Sequence, residues 1–592
     1  QGKFNVKDLV ADYDTISLRS RVAELAFQMP NIKNKETSFV ELDIASKQLE
    51  VEMGKNTKAV IRNLGLVAST SNMMNEKLPL TVNGNFRGMD MTAGMDNMTA
   101  FLGNPKGNFN LIMDMQDSTA IPVFNCDFDM SKLAASMDTI QVDIANPRGV
   151  VLYHPDAHDV KRPYMQLEYH SDRLAARMGE TKIDTENISV DAGVAYDGSQ
   201  KNFLLQWIPK GYVKMNQGRI STPQLAAEIQ IPAIDFDFTP DEYLIRDSRL
   251  IIDKSDFHLT GQLTNVRPFL RDEGLLKGDF NFRSHTTDVN QLLDLVSGMG
   301  YTEEETAEEK DVSPDTNGNS GPFMVPKGVD ISLYTSVNEA LVSKDTARNV
   351  QGTVTVKDGV MILESMLFTT SAAKMQLTGM YKSPRRNHLF TGIDLHLLEI
   401  EIPELLKLIP DVDTIMPMLR SFAGTGEFHM TIETYLDSAY NLKKSTLLGA
   451  ASVRGQDLVL LDGETFTEIA KTLRFNKKTE NKIDSLSAEF TVIKNNVYVY
   501  PFLIVMDKYK AIVEGRHNLD MNFDYHISLI DSPLPLQLGV DVKGNLDDMK
   551  IRPVKCKYAN MYRPARRTEV DTKKLELRNM IRQVLTDRVR EE

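Results

Sequence analysis

The sequence is poor in the residue types and motifs that build catalytic and metal sites. Only two cysteines, Cys126 and Cys556, occur in 592 residues, which excludes a disulfide framework and a cysteine-rich metal cluster. No Gly-x-Ser-x-Gly, P-loop, dinucleotide glycine fingerprint or His-Glu-x-x-His motif is present. We therefore expect no enzyme activity, no catalytic residues, no metal and no cofactor.

Long apolar runs and an excess of positive charge are also missing. No apolar run approaches the roughly 20 residues that a membrane-spanning helix needs, and no signal peptide is recognisable. The net charge is −14, which argues against a general nucleic-acid binder. Hydrophobic residues nevertheless make up 42% of the chain, so it has the material for sizeable cores in several domain-sized units.

Two polar groupings contain residue types that occur in metal or catalytic sites. His154 and His158 are four residues apart, but Pro155 lies between them, so the helical geometry of a zinc site is not expected. Asp235 and Asp237 project from one face of a strand and alternate with apolar residues. That alternation is typical of a half-solvated strand rather than of a catalytic carboxylate pair.

What the chain does have is a strand–turn–strand pattern that returns several times. Residues 354–363 contain Asp358-Gly359 between two alternating runs, and residues 490–500 contain Asn495-Asn496 in the same place. Such pairs admit positive φ and mark hairpin turns. We predict a mainly β fold, an elongated and curled antiparallel sheet that forms an open apolar groove, with a few short covering helices.

Helical patterns and one acidic stretch divide the chain. Short helices are predicted at 287–296, 403–409, 415–422 and 466–473, and residues 301–322 have the composition of a flexible linker. The expected organisation is an N-terminal β-groove region at 1–300, the linker at 301–322, a second β region at 323–560 and a basic amphipathic helix at 561–592.

The C-terminal helix has an apolar stripe and a basic side. Apolar residues recur at helical spacing from Leu577 to Leu585. The basic residues off that stripe are Lys573, Lys574, Arg578 and Arg582. Two interpretations stay open: the helix docks on the body of the protein, or these basic residues contact an anionic membrane surface or a partner.

A curled, open sheet has a concave apolar side, and such a side suits acyl chains. Each methylene taken out of water contributes about 0.8 kcal/mol, so burial alone holds a lipid with few polar contacts. The strongest hairpins supply the candidate lipid-groove positions, which alternate along the strands: Val360, Ile362, Phe490, Val492, Val497 and Val499.

From about Phe323 to Lys557 the pattern resembles the C-terminal region of the AsmA family of bacterial envelope proteins. The resemblance rests on the order of several phrases, at residues 356–363, 377–379, 424–430, 450–458, 466–473, 488–497 and 513–525. The sequence departs from the family in having no N-terminal membrane anchor and in using Asn495-Asn496 where a turn glycine is commoner.

The resemblance implies a non-enzymatic protein of the Gram-negative periplasm. It implies binding of phospholipid or another acyl lipid, transfer between the inner and outer membranes during outer-membrane biogenesis, possible envelope protein partners, and an anchor upstream of residue 1. An assembly or structural factor that binds partners through sheet edges is the alternative. A carbohydrate-active enzyme would need paired carboxylates in a cleft, which the sequence does not indicate.

Overall fold

The prediction of a mainly β, antiparallel fold with a C-terminal helix is confirmed by the computed structural model. It describes residues 2–29, 39–54, 56–71, 77–117, 119–223, 228–291, 322–342, 345–402, 404, 422–460, 481–506, 509–520, 522–532, 537–545, 548–558 and 569–586. The chain divides into two compact units, Gln1–Gly278 (unit 1) and Asp279–Glu592 (unit 2). The predicted linker lies outside the described residues except for Pro322, and the four predicted regions stay a prediction.

Unit 1 is built almost entirely of strands. Its strands are β1 Gly2–Tyr13, β2 Ile16–Gln28, β3 Phe39–Met53, β4 Thr57–Ser71, β5 Leu80–Arg87, β6 Asp90–Met95, β7 Met98–Gly103, β8 Lys106–Met113, β9 Val123–Asp129, β10 Lys132–Met137, β11 Ile140–Ala145, β12 Arg148–Pro155, β13 Pro163–Met178, β14 Thr181–Tyr196, β15 Trp207–Ser221, β16 Ile229–Phe238, β17 Glu242–Ile252 and β18 Ser255–Thr264. Its described residues also include a 3-10 turn at Phe203–Gln206 and the short helix α1, Val266–Leu270.

The sheet of unit 1 is antiparallel. Between β4 and β13 it consists of two side-by-side series of short strands, which we call the two lanes. One half of β4 pairs with β5, and the first lane continues through β8, β9 and β12 to β13. The other half of β4 pairs with β6, and the second lane continues through β7, β10 and β11 to β13. From β13 to β18 each strand pairs with the next.

Left-handed residues mark a structural repeat in unit 1. Asn63, Asn104, Asn146 and Asn187 all have φ near +50° and lie 41, 42 and 41 residues apart, at breaks in the middle of the sheet. Asparagine tolerates this conformation better than most residues do. The left-handed asparagines therefore interrupt the strands at regular intervals, as Asn104 does between β7 and β8.

Unit 2 is a run of antiparallel strands, each paired with the next from β20 to β32. After β19, Leu276–Asp288, whose first residues belong to unit 1, these are β20 Val329–Val342, β21 Asp345–Lys357, β22 Val360–Thr369, β23 Lys374–Arg385, β24 His388–Glu401, β25 Phe422–Leu436, β26 Leu448–Leu460, β27 Asn481–Ile493, β28 Asn496–Met506, β29 Tyr509–Asn518, β30 Phe523–Asp531, β31 Leu538–Gly544 and β32 Met549–Lys555. Among its described residues, unit 2 also contains a 3-10 turn at Lys444–Thr446 and helix α2, Glu569–Thr586.

The predicted hairpins are present, with one shift. Asp358 and Gly359 form the turn between β21 and β22, both with positive φ. The later turn consists of Lys494 and Asn495, and Asn496 already pairs with Ile493, so this turn lies one residue earlier than predicted.

The short predicted helices are covered only in part. Residues 289–291 begin a helix directly after β19, where the carboxylate of Asp288 accepts hydrogen bonds from the backbone N–H groups of Asn290 and Gln291. This is the N-cap arrangement. The remainder of 287–296 lies outside the described residues. The same holds for the predicted helix at 466–473 and, apart from residue 404 and the first residue of β25, for those at 403–409 and 415–422.

Gly149, in unit 1, has no room for a side chain. A Cβ added to Gly149 would stand 2.0 Å from the backbone oxygen of Glu168, whereas a Cβ on Gly94 would meet nothing nearer than 3.9 Å. We expect Gly149→Ala to destabilise the protein by about 1–3 kcal/mol because the paired strands must separate. Gly94→Ala, the control, should be neutral or slightly stabilising. Urea unfolding of both variants decides this, and equal midpoints would contradict it.

Candidate functional site: the apolar face of unit 1

One side of the unit 1 sheet is apolar across nearly all of its strands. Residues that face each other on neighbouring strands share a side of the sheet, so the register can be followed from strand to strand. The phenylalanine row consists of Leu25, Ile44, Leu66, Phe86, Gly107, Phe128, Gly149, Tyr169, Val190, Val213, Phe236 and Ile245.

A second row crosses the other lane. This leucine row consists of Leu49, Ile61, Met91, Leu102, Leu133, Ile144 and Leu174. Smaller apolar residues flank it, because Ala93, Ala100, Ala135 and Val142 form the next rung in the same register. Both lanes therefore carry a continuous apolar surface.

The two lanes present these rows to the same side. Ser20 belongs to the half of β2 beside Leu49, and Ser46, on β3, is paired with Ala23 in the other half. The hydroxyls of Ser20 and Ser46 are nevertheless 2.7 Å apart and buried. If the strands alternated strictly, the two hydroxyls would lie on opposite sides of the sheet. The break in the middle of the strands therefore brings the phenylalanine and leucine rows to the same side.

The opposite side of the sheet is polar and carries cross-strand ion pairs. Asp43, Asn85, Asn108 and Glu168 lie one residue along from members of the phenylalanine row and are exposed. The ion pairs join Lys106 to Asp129, Lys132 to Asp143, Arg173 to Asp184 and Arg246 to Asp237. Period-two alternation thus makes unit 1 an amphipathic sheet.

The apolar face of unit 1 is only half-buried. Every side chain of the phenylalanine and leucine rows is intermediate in exposure rather than buried. All four hydrophobic core clusters found among the described residues belong to unit 2. A half-exposed apolar face of this extent is typical of a binding surface rather than of a finished core.

Sequence reasoning missed this face, although the sequence contains its signal. Asn104-Pro-Lys-Gly107 and Asn146-Pro-Arg-Gly149 are the same motif 42 residues apart. In each, the asparagine is the left-handed residue and the glycine lies beside a phenylalanine of the neighbouring strand, Phe86 or Phe128. A search for repeats of this length would have found the register of the two lanes.

The six predicted groove residues lie in unit 2 and on two sides of its sheet. Ile362 pairs with Met380, and Met380 pairs with Gly392. The residues one position further along these strands lie on the other side of the sheet. They are paired across neighbouring strands in the order Leu363, Gly379, Ile393, Ile432, Gly449, Val492 and Val497. Val360 and Ile362 therefore face one way, and Phe490, Val492, Val497 and Val499 face the other.

All six predicted groove residues pack against other side chains of unit 2. Phe490, Val492, Val497 and Val499 belong to the largest core cluster, with exposed fractions of 8% or less. Ile362 is fully buried and Val360 partly buried, in a cluster with helix α2. Their contact with lipid stays a prediction, and the six residues do not line one surface together.

Helix α2 docks on the body of the protein, as one of the two interpretations predicted. Leu577 and Ile581 are buried against Ile362 and Met380. A Cβ on Gly392 would meet Leu577 at 2.7 Å, which shows how closely the helix approaches the sheet. Lys357 donates a hydrogen bond to the carbonyl of Leu585 at 3.0 Å, and a cation stabilises a helix C-terminus in this position.

The four basic residues of α2 have different surroundings. Lys574 pairs with buried Asp394 at 3.3 Å, and Lys573 pairs with Glu576 on the same helix at 2.6 Å. Arg578 and Arg582 are exposed. Membrane or partner contact by these residues stays a prediction, with Arg578 and Arg582 the two that face solvent.

A buried polar network lies under α2. One carboxylate oxygen of Asp394 accepts hydrogen bonds from the Thr431 hydroxyl at 2.6 Å and from the His429 ring at 2.8 Å. Burial of this carboxyl acts to raise its pKa, but the bonds from His429 and Thr431 and the charge of Lys574 outweigh burial, so the pKa of Asp394 is lowered. The His429 ring stacks on His396, which pairs with Glu427.

The polar groupings noted in the sequence make local contacts with their neighbours. The ring of His154 bonds to the carbonyl of Pro155 at 2.7 Å, and His158 lies exposed in the following turn. Asp235 and Asp237 pair with Lys214 and Arg246 across neighbouring strands. Among the described residues, no cluster of three or more histidine, cysteine, aspartate or glutamate side chains has the geometry to hold a metal ion.

No protein-family model matches the chain, and no curated protein matches it. In the part of the chain that the structure describes, none of the helices has both the length and the apolar character to cross a membrane.

Proposed function

We propose that the protein binds and carries lipid on the apolar face of unit 1, without enzymatic chemistry. The observation that carries the proposal is the continuity of the phenylalanine and leucine rows combined with the half-exposure of their side chains. Such a face holds acyl chains by burial alone, at about 0.8 kcal/mol for each methylene removed from water.

The dimensions of the face suit acyl chains. The phenylalanine row crosses twelve strands from β2 to β17, and neighbouring strands lie about 4.8 Å apart. The row is therefore about 50 Å long when followed along the sheet, which exceeds the length of one extended acyl chain. Polar side chains on the opposite face keep that side in water.

The cellular setting that we propose rests on the resemblance to the AsmA family. It is transfer of phospholipid between the two membranes of a Gram-negative envelope, in the periplasm, during outer-membrane biogenesis. The open apolar face supports this proposal because a carrier between membranes must shield acyl chains from water.

Lipid binding is tested with one variant on each side of a single hairpin. Leu133→Glu places a carboxylate in the leucine row, whereas Gln141→Glu places one on the opposite, exposed side of the adjacent strand. We expect Leu133→Glu to lower lipid occupancy at least about tenfold, because desolvating a charge beside an acyl chain costs more than 1.4 kcal/mol. Gln141→Glu should retain wild-type occupancy.

The measurement is native mass spectrometry of the purified chain, with organic extraction of the bound lipid. Phospholipid at reproducible stoichiometry in the wild type and in Gln141→Glu, but not in Leu133→Glu, is the expected result. A lipid-free mass for the wild type after incubation with phospholipid vesicles would overturn the proposal, as would equal occupancy in the two variants.

An envelope assembly factor is the second candidate. Within the described residues, β1 pairs with β2 and β32 pairs with β31, and neither has a second partner strand. Such edges accept an added strand. A lipid-free wild-type chain that captures a β-strand peptide would favour this function.

A further inference from the structure

The last rung of the apolar face, beside the hairpin turns of unit 1, is a line of exposed methionines. This methionine row consists of Met53, Met95, Met98, Met137 and Met178, with Ile16, Thr57 and Ile140 in the same register. The methionines are 37% to 59% exposed, whereas the leucine row, which the Ala93, Ala100 and Ala135 positions separate from them, is of intermediate exposure. They form one continuous border of the face.

The hairpins β6–β7 and β10–β11 produce this alignment. Met95 and Met98 flank one hairpin turn and pair with each other, and Met98 also pairs with Met137 on the next hairpin. Directly opposed side chains lie about 5 Å apart. Three thioethers thus stand side by side on adjacent strands, with Met53 and Met178 further along the same rung.

Exposed thioethers are accessible to dissolved oxidants, whereas buried ones are shielded from them. The sulfur of an accessible methionine takes an oxygen atom from a two-electron oxidant, and the product is a polar, chiral sulfoxide. With hydrogen peroxide, the sulfur lone pair attacks one peroxide oxygen, the O–O bond breaks, and water leaves with both protons.

We propose that the methionine row is an oxidation site that switches the border of the apolar face from apolar to polar. Since the methionines share one border, their oxidation changes a continuous edge rather than scattered positions. The effect on ligand rests on the proposed lipid-binding function, because sulfoxides along the border of the apolar face weaken the hold of that face on acyl chains. The order in which the methionines oxidise does not rest on it.

The order of oxidation is the first measurement. The intact chain is treated with hydrogen peroxide below the methionine concentration, and each methionine is quantified by peptide mass spectrometry. We expect the five row methionines to oxidise about tenfold faster than Met375 and Met380, which are 6% and 2% exposed in the cores of unit 2. Equal rates for the two groups would overturn the proposal.

The effect on lipid is measured with two five-fold variants. In one, all five row methionines are replaced by leucine, as in Met95→Leu, and in the other by glutamine, as in Met95→Gln. We expect oxidation to lower lipid occupancy several-fold in the wild type and not in the leucine variant. The glutamine variant should show the lowered occupancy without oxidant, while its thermal unfolding stays close to that of the leucine variant.

The outcomes separate this proposal from the proposed function. A wild-type chain that carries no lipid before oxidation removes the proposed function and, with it, the effect on ligand. A chain that carries lipid, but keeps the same occupancy when the five methionines are oxidised, contradicts the switch alone.

Discussion

Leu577→Ala is expected to release helix α2 from the sheet and to lower the free energy of its docking by about 2–5 kcal/mol. Leu577 is 2% exposed and packs with Ile362, Met380 and Ile581. Truncating such a leucine removes its burial and leaves a cavity between helix and strands. Because 1.4 kcal/mol is a factor of ten, amide hydrogens of α2 should exchange with solvent at least about tenfold faster.

The same helix supplies the control. Leu575 is 59% exposed, two residues away, and Leu575→Ala should change the docking free energy by less than about 0.5 kcal/mol. Hydrogen exchange of residues 569–586, measured in the full chain for both variants, tests the difference. If the two variants exchanged at the same rate, α2 would not be held by its apolar stripe.

Asp394→Ala is expected to destabilise unit 2 by about 3 kcal/mol at neutral pH. The substitution leaves Lys574 and the His429 ring without the carboxylate that they share, and breaking a buried pair costs more than the pair contributed. The control is Asp524→Ala, which removes an exposed pair with Lys543. That change should cost less than about 1 kcal/mol.

The contribution of Asp394 has a defined pH dependence. Its pKa is lowered below the usual 3.8 in the folded protein. Stability from the ionised carboxylate is therefore fully present above pH 3.8 and is lost as the pH falls through the folded pKa.

Urea unfolding over a pH series measures that dependence. The difference in unfolding free energy between wild type and Asp394→Ala should be constant from about pH 5 to 7 and should shrink below pH 3.8. A difference that stayed constant throughout, or that grew on acidification, would show that the charge of Asp394 does not stabilise the docked helix.

The hairpin pattern was predictable because its information is local. Asp358-Gly359 was identified as a turn, and the structure gives both residues positive φ. The turn at Lys494 and Asn495 was placed one residue late, since the amide-rich sequence there permits either register. The turn residues limit the hairpin to a few adjacent registers, and the pairing of the two strands decides which one forms.

The side of the sheet on which a residue lies was not predictable in the same way. Val360 and Val492 belong to equally regular alternating runs, but they face opposite sides of the unit 2 sheet. Alternation says that a strand has two faces. It does not predict which faces of distant strands lie on the same side of the sheet, because each one-residue irregularity in pairing exchanges the two faces.

The sequence by itself determined the strand-rich class, the antiparallel hairpins, the amphipathic C-terminal helix and, in the repeated Asn-Pro-x-Gly motif, the period of unit 1. These follow from short-range rules of turn chemistry and periodicity. Only the tertiary structure decided that the apolar side of unit 1 is half-exposed whereas that of unit 2 is filled, and that Lys574 meets Asp394. Burial and ion pairing depend on which segments meet in space. Lys574 and Asp394 are 180 positions apart, and nothing in the sequence around either residue indicates that they form a pair.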